Sequence, residues 1–83
     1  TQATGAGLIT SGSVFVDSRP TGASVFVDGE SVGLTPLLVS DVLVGSHEVR
    51  IVGDGYRPWF STVVVEDGQR SRVAASLEPR GRR

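Results

Sequence analysis

The amino-acid sequence predicts an all-β domain, a small β-sandwich of six to seven mainly antiparallel strands. Three observations carry this. Apolar residues alternate with period 2 rather than 3.6. Turn-forming residues interrupt the pattern at spacings of roughly 8–12 residues, as in sandwiches. No segment joins helical periodicity to a capping box.

The elements follow in order. Residues 1–12, Thr-Gln-Ala-Thr-Gly-Ala-Gly-Leu-Ile-Thr-Ser-Gly, are small and polar and read as a flexible linker. A first strand is expected over 13–18, with Val14 and Val16 on one face. Pro20 presets its backbone angle and Gly22 tolerates positive φ, so 19–22 is a turn. The second strand, 23–28, points Ala23, Val25 and Val27 inward and Ser24, Phe26 and Asp28 outward. Asp28-Gly29 is a tight-turn dipeptide, and Ser31-Val32-Gly33 is expected to pair back briefly.

The Thr35 hydroxyl is expected to satisfy a nearby backbone group in a turn while Pro36 begins a third strand over 36–40; without an N–H, Pro36 places that strand's start there or the strand on an edge. Residues 46–52 form the fourth, with His47, Val49 and Ile51 on one side and Glu48 and Arg50 on the other. After the Gly53-Asp54-Gly55 turn, the fifth spans 58–65 with Trp59, Ser61, Val63 and Val65 on one face. Asp67-Gly68 turns the chain into the sixth, 71–78, with Val73, Ala75 and Leu77 inward. Residues 79–83, Pro-Arg-Gly-Arg-Arg, read as an Arg-rich tail.

The order and spacing of Pro20-Thr21-Gly22-Ala23, Asp28-Gly29, Thr35-Pro36, Gly45-Ser46-His47 and Gly55-Tyr56 resembles the PEGA domain, a small all-β module of bacterial and archaeal envelope and S-layer-like proteins. The resemblance covers roughly residues 13–78. Thr21 stands where that family usually has Glu. The likeness implies a sandwich similar to prealbumin-like and carbohydrate-binding folds. It also implies structural parts for Pro20, Thr21, Gly22, Ala23, Asp28, Gly29, Thr35, Pro36, Gly45, His47, Gly55 and Tyr56, and a place outside the cytoplasm, at the cell surface or in the periplasm.

Composition sets bounds. At 83 residues the chain is one domain, and a domain this small is marginally stable. It has no Cys, hence no disulfide, thiolate nucleophile or zinc thiolate. It has no Met, so a fragment or processed product is expected. A net charge of −1 gives no electrostatic argument for nucleic acid, and all 8 basic residues are Arg. No apolar run approaches the 18 or so residues of a membrane helix, and no signal-peptide pattern is present; neither observation excludes export.

Chemistry-bearing constellations are few. His47 is the only histidine, with no second His or Cys at a metal-ligand spacing. It is expected at the sandwich rim with a backbone partner. Asp17, Asp28, Glu30, Asp41, Asp54, Glu66 and Asp67 are scattered over turns, whereas calcium needs a concentrated acidic loop. No serine lies in a G-x-S-x-G elbow. No catalytic residue, metal or cofactor is therefore expected, and an enzyme is the least expected class.

Aromatic residues offer the best candidate contact surface. Trp59 and Phe60 are neighbours in a strand and must face opposite ways. Phe15 and Phe26 have outward parity, and an exposed face of Phe15, Phe26 or Phe60 would be unusually apolar. Trp59 and Arg57 complete the candidates. Three functional classes follow. One is a non-catalytic spacer, adhesion or assembly module of an envelope or surface protein. Another is a carbohydrate-binding module for peptidoglycan or surface polysaccharide. The third, implied by the resemblance, is an accessory domain of a transmembrane serine/threonine kinase. Expected partners are other domains of the parent chain, envelope proteins, glycan, or further copies added at an open sheet edge. Neither nucleic acid nor direct membrane insertion is expected.

Overall fold

A computed structural model describes residues 10–80 of the chain. Seven strands form: β1 (Ser11–Arg19), β2 (Ser24–Val27), β3 (Glu30–Leu34), β4 (Leu37–Leu43), β5 (Gly45–Val52), β6 (Trp59–Val65) and β7 (Arg70–Ser76). They make two sheets, one ordered β4-β1-β7 and the other β3-β2-β5-β6. The inner faces pack as a β-sandwich, as the alternation predicts.

The core is the inward half of each alternating strand. Val14, Val16, Val25, Val49 and Ile51 are 0–1% exposed, and Ala23, Val42, Val65, Val73, Ala75 and Leu77 complete the cluster. Val27, Val63, Tyr56 and Trp59 pack against it from the margin. Removing these apolar side chains from water is the main favourable contribution to folding in a chain without disulfides.

Tight turns set the register. β2 and β3 are joined by Asp28 and Gly29 alone, and Val27 pairs with Glu30. Both turn residues have positive φ, 52° and 86°, as a type I′ hairpin requires. The brief return expected at 31–33 is a full strand. β4 runs to Leu43, beyond the expected 40, and sits at a sheet edge just after Pro36, where the missing N–H costs no ladder bond.

Both ends of the domain differ from the sequence reading. β1 begins at Ser11, so 11–12 are strand rather than linker; residues 1–9 lie outside the described part. Gly12 is strand because its bare Cα is needed: a Cβ there would stand 2.5 Å from the Glu66 carbonyl oxygen and 2.7 Å from that of Gln69. At the other end β7 stops at Ser76, and part of the expected tail is docked. Arg57 N–H donates to Glu78 C=O at 2.8 Å, Arg80 N–H donates to Gly55 C=O at 3.0 Å, and Tyr56 bridges to Pro79. Residues 81–83 of that tail lie outside the described part.

One pairing is parallel. β1 pairs antiparallel with β4 but parallel with β7, in register from Ser13 with Arg70 to Arg19 with Ser76. Thr10 and Arg80 consequently lie at opposite poles of the sandwich. Thr10 C=O accepts from Val44 N–H beside the β4–β5 turn, while Arg80 sits on the 53–57 turn.

Candidate functional site: turn locks and outer sheet faces

The motif turns at the Arg80 pole close around two buried hydroxyls. Thr35 is 4% exposed and Ser18 is 2% exposed. Ala23 N–H donates to Thr35 Oγ1 at 3.1 Å, Thr35 Oγ1 lies 2.7 Å from Ser18 Oγ, and Ser18 Oγ–H donates to Pro20 C=O at 2.8 Å. A hydroxyl has a single hydrogen, so Thr35 is the donor to Ser18, and every group in the relay is satisfied. Backbone bonds from Gly22 N–H to Thr35 C=O and from Thr35 N–H to Ala23 C=O, each 2.9 Å, complete the knot. Pro20, Thr21, Gly22 and Pro36 stay at the surface, and Ala23 enters the core. The expected backbone partner of Thr35 is thus present. Ser18 was not singled out from the sequence, since a serine in a strand gives no signal of its inward parity beyond its match with Val14 and Val16.

His47 sits at the opposite pole with a 16% exposed side chain. Its Nε2 is 2.7 Å from Leu43 C=O, the backbone partner expected of it. Its Nδ1 is 2.5 Å from Asp28 Oδ2, a contact not read from the sequence. Asp28 Oδ1 also accepts from Glu48 N–H at 2.9 Å. A neutral imidazole donates from only one nitrogen, so two acceptors favour the doubly protonated ring. The Asp28 hydrogen bond, then the Leu43 carbonyl, raise the His47 pKa above 6.5. The His47 hydrogen bond, then the Glu48 N–H, lower that of Asp28 below 3.8. The pair fastens the β2–β3 turn to β5.

The candidate contact residues do not converge. Phe26 and Phe60 lie on the outer face of the four-stranded sheet, flanking Arg50 in register. Phe15 lies on the outer face of the three-stranded sheet between Leu38 and Arg72. Trp59 and Arg57 line a cleft of about 240 Å³ with Pro58, Ser76 and Glu78. Arg50 Cζ stands 4.3 Å from the Phe26 ring centre, and Arg72 Cζ stands 5.9 Å from that of Phe15. Both rings are partly buried, whereas Phe60 is 58% exposed, as is Val64 farther along the same strand face. The single contact surface expected from the sequence is therefore three separate places. The fan of outward positions spans two sheets, which parity within a strand cannot reveal.

A second cleft, of about 180 Å³, lies along β7 between Arg19, Arg72 and Ser76, and both are below the size of usual small-molecule sites. A wider, open depression of about 360 Å³ lies at the Thr10 pole, lined by polar residues that include Ser11, Ser40, Asp41 and Arg70. Among the described residues no group of His, Asp or Glu is placed to hold a metal ion.

A sequence profile of the PEGA domain matches residues 11–81. No curated protein matches the chain. The matched span takes in all seven strands, both hydroxyls of the turn knot and the Asp28–His47 pair. The chain belongs to the PEGA domain family.

Proposed function

We propose that this domain is a non-catalytic structural and interaction module of an envelope or surface protein, working outside the cytoplasm as an in-line spacer. The parallel pairing of β1 with β7 carries this reading. Two flanking strands that run the same way send the chain in at one pole and out at the other. Each such unit extends a longer chain instead of folding it back on itself. The polar relays at both poles serve the same end, since they hold turns rather than present reactive groups. Deleting the domain from its parent chain tests the role. Surface display or assembly that depends on reach is expected to fail, and a flexible linker of equal length is expected to restore it only in part. Unchanged display and assembly would remove the reading's support.

A second reading is favoured by Phe60, exposed on the outer sheet face in register with Arg50. Sugars stack on open aromatic faces and bond to planar cations. Phe26 contributes less because Arg50 already covers its ring. Co-sedimentation with peptidoglycan and surface polysaccharide discriminates. Binding that falls in a folded Phe60→Ala variant would support glycan recognition; no binding by the unaltered domain would leave the spacer.

A further inference from the structure

We propose that β1 and β7 form a mechanical clamp that keeps the domain closed when the chain is under tension. This function rests on the spacer reading and goes beyond it, since a spacer can be weak. The geometry is the argument. β1 starts at one pole and β7 ends at the other, so tension between Thr10 and Arg80 drags the two strands lengthwise past each other. Seven register pairs, Ser13–Arg19 with Arg70–Ser76, then resist together. A strand peeled sideways instead loses its hydrogen bonds one at a time, each of modest net strength.

Further bonds reinforce the clamp beyond both ends of the ladder. At one end Gly68 N–H donates to Ser11 C=O at 2.9 Å, and Ser13 N–H donates to Gln69 C=O at 3.0 Å. At the other, Leu77 N–H donates to Arg19 C=O at 2.9 Å. β1 is also the central strand of its sheet, so sliding it must break its pairing with β4 as well. Its inward side chains, Val14 and Val16, are 1% and 0% exposed and must leave the core in the same step. Hydrogen bonds and packing therefore fail together, which makes a high barrier along this one direction. Forced unfolding reports that barrier rather than equilibrium stability.

Single-molecule force spectroscopy on the full 83-residue chain between marker domains tests the clamp. One attachment uses the two chain ends. The other uses the amino end and a thiol placed by Asp67→Cys in the exposed turn before β7, so that the ladder is peeled from Ser13–Arg70 onward. The chain has no other Cys, so this attachment is unique. Thermal melting of Asp67→Cys verifies that both samples carry the same fold. The clamp predicts an unfolding force severalfold higher end to end than by peeling. Equal forces in the two directions would overturn it while leaving the spacer reading standing, because that reading is decided by deletion from the parent chain.

Discussion

The hydroxyls of Ser18 and Thr35, 17 residues apart in the chain, meet at 2.7 Å inside the pole where the motif turns converge. Thr35 Oγ1 accepts the Ala23 N–H and passes its own proton toward Ser18. Thr35→Val keeps the shape but removes the oxygen, leaving the Ala23 N–H and one Ser18 lone pair without partners. An unsatisfied buried group costs about 1–3 kcal/mol, a large share of a small domain's stability. Urea unfolding is expected to show that loss for Thr35→Val and a much smaller one for Thr35→Ser.

The Asp28–His47 pair makes stability depend on pH from both sides. His47 has a raised folded pKa, so its contribution is complete below its ordinary value of 6.5 and is lost as pH rises through the raised value. Asp28 has a lowered folded pKa, so its contribution is complete above 3.8 and is lost as pH falls through the lowered value. Melting temperature is expected to be highest between these two ordinary values, as far as this pair decides it. The alkaline decline should flatten in His47→Gln. An unchanged decline in that variant would mean that other groups set it.

Gly12 lies under the turn that links β6 to β7. Gly12→Ala places a methyl carbon against two backbone carbonyl oxygens that belong to that turn, so the turn itself must shift. Overpacking of this kind typically costs about 1–3 kcal/mol. Gly29→Ala meets no neighbour but forces an alanine to positive φ, so its penalty is conformational rather than steric. Chemical denaturation of the two variants separates the causes. Gly12→Ala should also speed exchange of the Ser13 and Gly68 amides, and Gly29→Ala should not.

On the outer face of the four-stranded sheet, Arg50 and Phe26 are coupled by stacking. A double-mutant cycle of Arg50→Ala and Phe26→Ala is expected to give a coupling of about 0.5–1 kcal/mol, the usual range for a surface cation–π contact. The equivalent cycle for Arg72 and Phe15, with its longer 5.9 Å separation, should give less. A coupling indistinguishable from zero in both would leave the rings held by burial alone.

Much of this architecture was legible in the sequence because its signals are local. Alternation named the core valines other than Val42, which lies past the expected end of the third strand, and the Asp28-Gly29 pair dictated a two-residue hairpin whatever the rest of the chain did. Thr35 could be assigned a backbone partner because Thr before Pro at a strand start suits that bond. What escaped is non-local. Parity puts Phe15, Phe26 and Phe60 outside but does not say that two sheets divide them. Nothing in the β1 or β7 segments tells a parallel from an antiparallel neighbour, since both need the same alternating valines and alanines. Gly12 read as linker for a related reason: its requirement comes from Glu66 and Gln69, more than fifty residues away.

The parallel β1–β7 pairing, from which both the spacer role and the clamp follow, can be measured as a distance. Spin labels on cysteines introduced at Thr10 and Arg80 would be unique in this chain, and their separation follows from dipolar coupling. A nine-residue β1 rises roughly 3.3 Å per residue, so the two sites should lie on the order of 30 Å apart in the folded domain. A narrow distribution near that value is the predicted result. Labels found close together, at one pole, would contradict the parallel pairing and with it the in-line role.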